Sequence, residues 1–191
     1  SYNGYQHAIY ITNTFKKNIN INRGDWIVKN SNEAYENAWI TVRHHDVITP
    51  GGTKGIYGEV NFKNIAIGII PIDEDGYTWR VGQFRFPINK YSWEIPEGGG
   101  PIGINPLESA KRELQEEVGY TAKQWSEFLQ LDLSNSVTNE RAIVFLAESL
   151  TFIGTSHKDT KNLRLERLHF STLYQQVLNG LITDSISVAA D

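Results

Sequence analysis

Arg112-Glu113-Leu114-Gln115-Glu116-Glu117-Val118-Gly119-Tyr120 places three carboxylates on one face of a short helix, behind an arginine and ahead of a glycine. Glu113 and Glu117 stand one turn apart, a rise of about 6 Å, and Glu116 follows Glu113 by three residues, so the three side chains project together. Like charges at that spacing repel and weaken a bare helix. A cation among them removes the penalty, and carboxylate oxygens suit a hard divalent ion, Mg²⁺ or Mn²⁺. The competing reading is a solvated acidic face with Arg112 in surface ion pairs, each worth little.

Outward from this run, Asn105 is a predicted N-cap, Pro106 suits the first helical position and Glu108 takes the capping-box place. Leu107, Ala110, Leu114 and Val118 form an apolar stripe offset from the carboxylates, and Gly119 ends the helix. Upstream, Ile65 to Pro71, a turn at Asp73-Glu74-Asp75-Gly76 and Tyr77 to Phe86 predict a hairpin with a buried first strand. Gly98 to Asn105 predicts a loop. It is no phosphate-cradling P-loop, because Pro101 interrupts it and no Gly-Lys-Ser/Thr follows. Downstream, Ala142 to Leu146 and Leu163 to Phe170 predict strands, Ser171 to Leu178 a helix, with more helix towards the C-terminus. Residues 1 to about 62 carry short alternating runs (Trp26-Ile27-Val28, Trp39-Ile40-Thr41-Val42, Ile56-Tyr57-Gly58-Glu59-Val60) broken by Pro50-Gly51-Gly52, the pattern of a small antiparallel β element.

The chain of 191 residues is 40% hydrophobic and 12% aromatic, the composition of a folded globular protein. A net charge of −4 gives no electrostatic case for nucleic-acid or membrane-surface partners. The longest apolar run, Ile65 to Ile72, is too short to span a bilayer. Absence of cysteine excludes disulfides and thiolate metal sites and fits a reducing cytoplasm. The adjacent His44-His45 lack metal-ligand spacing and read as structural or surface residues.

Arg-Glu-Leu-x-Glu-Glu-x-Gly-Tyr resembles the core of the Nudix box, the mark of hydrolases that cut nucleoside diphosphates linked to another moiety. Gly98 falls where the box has its first glycine, whereas Ile104 stands where the box has its first glutamate. Further segments resemble the ADP-ribose pyrophosphatase and nucleoside diphosphate sugar hydrolase branch: Gln83-Phe84-Arg85, Trp93-Glu94-Ile95-Pro96-Glu97-Gly98, Thr138-Asn139-Glu140-Arg141 and Gly180 to Ser185. The resemblance implies an α+β fold, a Nudix α/β/α sandwich over residues 63–191, preceded by an antiparallel β extension over 1–62. It also implies a cytoplasmic homodimer in which the extension packs across the interface.

Roles follow from the same resemblance. Glu113, Glu117 and Glu116 are the expected ligands of Mg²⁺ or Mn²⁺, joined by the backbone carbonyl of Glu97, whose side chain partly replaces the carboxylate missing at Ile104. Arg112 orients a glutamate. Arg85 and Gly98 are the expected substrate-binding positions, Arg85 because a guanidinium fork fits phosphate oxygens. Glu140 is the expected general base, with Glu113 or Glu116 as the alternative. The implied reaction is hydrolysis of ADP-ribose or a related nucleoside diphosphate sugar to a nucleoside monophosphate and a sugar phosphate. Family members that cut ADP-ribose usually carry a proline about 16 residues past the box; Asn135 and Ser136 stand there, so other nucleotide sugars such as GDP-mannose stay open. Ile104 also keeps open a sensor that binds a nucleotide without cleaving it.

Overall fold

The computed structural model describes residues 20–155 and 162–191. The first 19 residues of the expected β extension lie outside them. The described chain divides into two compact units, one built from 20–35 and Val42–Glu59, the other from Glu36–Thr41 and Val60–Asp191.

In the first unit, β1 (Ile21–Arg23), β2 (Trp26–Glu36), β3 (Ile40–Ile48) and β4 (Lys54–Phe62) form a sheet in the order β1-β2-β3-β4. Gly24, with φ +57°, makes the two-residue turn that lets β2 fold back antiparallel on β1. His45 is buried at the sheet centre, where its Nδ1 meets Ser31 Oγ at 2.6 Å and its Nε2 meets Glu59 Oε1 at 3.3 Å. Trp26 packs edge-on against Tyr57.

The second unit holds β5 (Asn64–Pro71), β6 (Tyr77–Arg85), β7 (Lys90–Glu94), β8 (Glu97–Pro101), α1 (Pro106–Glu113), β9 (Tyr120–Asp132), β10 (Arg141–Phe152), β11 (Arg164–His169), α2 (Phe170–Leu178) and α3 (Ser185–Ala190). One sheet runs β8-β5-β10-β9, the other β11-β6-β7. β5 and β10 are parallel, in register from Ala66↔Ala142 to Pro71↔Ala147. A parallel pair is stable only when covered on both faces, and alternate residues of the two strands show the cover. Ile67, Ile69, Ile143 and Phe145 pack with Ala110, Leu114 and Val118 from the helical segment. Ile70 and Val144 pack with Ile95, Leu173, Ile182 and Ile186 around α2 and α3. The sheet is thus the middle of three layers, the sandwich expected from the sequence.

Gly68 permits the closest approach. A Cβ there would lie 2.9 Å from Ile186 Cγ2 and 3.2 Å from Ile95 Cδ1, so any side chain on the central strand would push α3 away.

The sequence and structure differ at three points. β5 and β6 are joined by the expected turn, where Asp73 accepts from the Tyr77 N–H and Gly76 has φ +80°, but they do not pair. β5 is buried on both faces and takes a central place between β8 and β10, so the turn hands the chain to the other sheet. Gly98 to Asn105 is not all loop, because Glu97–Pro101 is β8, antiparallel to β5. Its glycines leave room for the α1 side chains that lie against it. β9, thirteen residues long, had no expectation attached. It meets the core on both sides of the sheet, Tyr120, Ala122 and Trp125 beside the α1 cluster and Leu129 and Leu131 beside the α2 and α3 cluster, with a register shift opposite Val144 and Phe145 between them.

Candidate functional site

The box helix begins as its sequence dictates. Asn105 Oδ1 accepts the Leu107 N–H at 3.0 Å, and Pro106 opens α1 without an orphan donor. Glu108 bonds Lys111 at 3.3 Å. After Glu113 the helix widens into a π-helical turn over Leu114–Val118, closed where Gly119, at φ +80°, donates to Leu114 O and Gln115 O. π turns of this kind recur at functional sites. A Cβ at Gly119 would also lie 2.9 Å from backbone atoms of Gly154 and Thr155. Leu114 and Val118 anchor the turn in the core, while Glu113 and Glu117 are only 6% and 5% exposed and Glu116 is half-buried. A solvated acidic face is therefore not what this segment presents.

Arg112 touches both β8 and the box glutamate. Its Nη2 donates to Gly99 O at 3.0 Å and lies 3.1 Å from Glu113 Oε1, which ties the glutamate to β8. Gly98 has the sharpest requirement: a Cβ there would fall 2.1 Å from Glu113 Cδ and 2.5 Å from its Oε2. The backbone at position 98 and the Glu113 carboxylate occupy a fit that only glycine allows. The donors gathered at this junction are carboxylate and carbonyl oxygens, the set that suits a hard divalent cation.

Beside it opens a cavity of about 640 Å³. Its walls include Arg85, Glu94, Glu97, Gly98, Glu140 and Asp184. Three expected site residues distant in sequence, Arg85, Glu97 and Glu140, thus share one cavity, while Arg112, Glu113, Glu116 and Glu117 are not among its lining residues. Neither is Ile104, which sits half-exposed in the turn before α1.

Arg85 does more than face the cavity. Its Nε and Nη2 donate to Glu94 at 3.0 and 2.5 Å, and Glu97 Oε2 lies 3.7 Å away. The paired Glu94, only 2% exposed, raises the arginine's already high pKa. A substrate phosphate meeting Arg85 would share it with Glu94.

The Glu97 side chain sits among other carboxyls. Burial pushes its carboxyl well above the usual range, and the bonded Asp184 carboxylate and Glu94 push the same way, against Arg85. Ligand oxygens of Glu94, Glu97 and Asp184 all lie within 4.8 Å of one another. Three carboxyls so close form a group that could hold a cation, with Glu97 also 3.7 Å from Arg85.

Glu140 sits at the cavity edge just before β10, where burial raises its carboxyl above the ordinary value. The loop that carries it is pinned. Val60 N–H donates to Val137 O, Asn139 N–H to Val60 O, and Phe62 N–H to Asn139 Oδ1 at 2.9 Å.

Sequence reasoning missed Glu94, Asp184 and Ser187 as members of this neighbourhood. Their segments were noted, but nothing local signals that residues some 90 positions apart meet.

Comparison with known proteins bears on the same segments. Residues 63–169 match the NUDIX domain, and residues 26–60 match the nucleoside diphosphate sugar hydrolase N-terminal domain. The chain is 29% identical over 169 residues to an ADP-ribose pyrophosphatase of Mycobacterium tuberculosis, covering 86% of this chain and 81% of that one. It is 35% identical over 108 residues to an ADP-ribose pyrophosphatase of Bacillus subtilis, covering 56% and 58%. Among solved structures, an ADP compounds hydrolase superposes with a TM-score of 0.75 at 20% identity, over 85% of this chain and 88% of that one, which establishes likeness of fold. With the NUDIX match running from β5 through β11, across the box helix and the strands that frame it, the chain belongs to the NUDIX family and is a Nudix hydrolase.

Proposed function

We propose that this hydrolase cleaves the pyrophosphate bond of ADP-ribose or a related nucleoside diphosphate sugar, releasing a nucleoside monophosphate and a sugar phosphate. The observation that carries this reading is the single cavity lined by Arg85, Glu97, Gly98 and Glu140, with Glu113 packed directly against Gly98. Its volume, about 640 Å³, lies within the range of small-molecule sites. The relatives named as ADP-ribose pyrophosphatases favour that substrate.

Glu113, Glu116 and Glu117, with the carbonyl of Glu97, would hold Mg²⁺ or Mn²⁺. A divalent ion held there would supply charge neutralisation of the pyrophosphate and a more acidic water. The chain supplies the rest. Arg85 offers donors to a phosphate while Glu94 keeps its fork in place. Arg112 holds Glu113 in line, and Glu140 takes the proton from the water that attacks one phosphorus, as the bridging P–O bond breaks and the other phosphate departs with the bridging oxygen. A cytoplasmic homodimer, with residues 1–62 as dimerisation element and 63–191 as catalytic domain, belongs to the same reading. Among the described residues no helix is long and apolar enough to cross a membrane.

The test is product release from ADP-ribose, GDP-mannose, ADP-glucose, NADH and ATP with Mg²⁺, with Mn²⁺ and with chelator. Cleavage of a nucleotide sugar that stops on chelation is expected. Retained binding with no turnover on any of them would replace this reading with that of a sensor.

Glu140→Gln is expected to lower kcat about a hundredfold with little change in KM, the usual worth of a positioned base. Burial raises the Glu140 carboxyl, so the wild-type rate should fall on the acid side at a pH above the ordinary glutamate value. The variant should lose that limb. A variant with wild-type rate and profile would return the role to Glu113 or Glu116.

A further inference from the structure

The last helix reaches into the metal end of the site through one fully buried hydroxyl. Ser187, on α3, is 0% exposed. Its Oγ accepts the Ile95 N–H at 2.9 Å and donates to Asp184 Oδ2 at 2.8 Å; Glu97 Oε1 lies 3.4 Å away. Asp184 also caps α3 by accepting the Ser187 N–H at 3.1 Å. The single hydroxyl proton goes to the nearer acceptor, Asp184, which leaves the oxygen lone pairs for Ile95. The order of donation is thus fixed along Ile95, Ser187 and Asp184.

Ile95 lies where the chain passes from β7, in one sheet, to β8, in the other. The neighbouring Pro96 has no N–H to anchor it. Pro96 O accepts from Ile69 N–H at 2.9 Å, so the crossing is held on one side by β5 and on the other by Ser187. Glu97 and Gly98 follow immediately, and Gly98 has no room to shift against Glu113. Displacement at Ile95 therefore passes directly to the backbone that faces the box carboxylates. Asp184, fixed to α3 by its bonds to Ser187, lies with Glu97 in one cluster of ligand oxygens within 4.8 Å of one another.

We propose that Ser187 and Asp184 are positioning residues for this hydrolase, clamping the Ile95–Glu97 backbone from α3 so that the Glu97 carbonyl stays aligned with Glu113 and Glu117. The clamp rests on the proposed metal-dependent reaction. It acts on geometry and touches neither water nor substrate phosphorus.

Ser187→Ala, Asp184→Asn and Asp184→Ala test it, each measured for melting temperature, for Mn²⁺ binding by electron paramagnetic resonance without substrate, and for kcat and KM with ADP-ribose. Ser187→Ala removes both the acceptor for Ile95 and the donor to Asp184. It should weaken Mn²⁺ binding and lower kcat by about tenfold or more, the usual cost of losing a partner that orients a ligand, with KM little changed. Asp184→Asn keeps an oxygen that accepts from Ser187 and should lose less than Asp184→Ala on both readouts. Variants that melt lower yet bind Mn²⁺ and turn over like the wild type would overturn the clamp and leave Ser187 a packing residue. Wild-type protein that neither binds Mn²⁺ nor cleaves ADP-ribose would overturn the reaction, and the clamp with it. Wild-type activity alongside indifferent variants overturns the clamp alone.

Discussion

Glu117→Gln is expected to lower kcat by about a thousandfold or more, because loss of metal-mediated charge stabilisation is worth several kcal/mol of barrier. The amide keeps the shape of the side chain and removes only its charge. Glu117 lies in the π turn between Leu114 and Val118, both anchored in the core, so the backbone has no reason to rearrange. Stability should move the other way. One charge fewer beside Glu113 and Glu116 relieves repulsion, so the metal-free variant should melt no lower than the wild type. Added Mn²⁺ should raise the wild-type melting temperature through linkage and raise the variant's less. Thermal scans with and without metal, beside turnover of ADP-ribose, check all three statements. A variant with full turnover would remove Glu117 from the metal site.

Gly98→Ala should lower kcat by about two to three orders of magnitude, although it adds one methyl group and touches no charge. That methyl would fall 2.1 Å from Glu113 Cδ and 2.3 Å from its Cγ, so the glutamate must leave its position or β8 must leave β5. Misplacing a reactive group by about 1 Å costs on the order of a hundredfold, and here the displaced carboxylate is also an expected metal ligand. A double-mutant cycle isolates the cause. In a Glu113→Ala background the methyl has nothing to strike, so Gly98→Ala should add little further loss. Equal losses in both backgrounds would place the damage in the β8–β5 pairing instead.

The box helix was legible because its signals are local. Asn105, Pro106, the apolar stripe and Gly119 each act within a few residues of themselves, and the structure places them as their chemistry requires. Strand partners were not legible. The turn at Asp73 to Gly76 is real, but a turn fixes chain direction and not hydrogen-bond partner, and β5 takes its partners from 76 residues downstream and from β8. β8 looked like loop because Gly98-Gly99-Gly100 has no side-chain alternation to read; its strand character comes wholly from backbone pairing. β9 escaped because its core contacts change sides of the sheet at the register shift opposite Val144 and Phe145, which breaks the alternation a strand would show. In the site, Glu140 and Arg85 could be named from their own segments. The bonds of Glu97 and Ile95 to Asp184 and Ser187 could not, since they join segments about 90 positions apart.

That span has a consequence for how the enzyme comes to life. The box helix is signalled by near neighbours but packs on β5 and β10, the Ile95–Ser187 bond closes 92 residues of chain, and β5 waits for β10 to emerge. Contacts of such separation form slowly, after their loop entropy has been overcome. During synthesis the Ile95–Ser187 contact would therefore be among the last to form. A ribosome-bound intermediate ending before α3 would lack the Ile95–Ser187 bond, and under the proposed clamp hydrolysis would wait for α3.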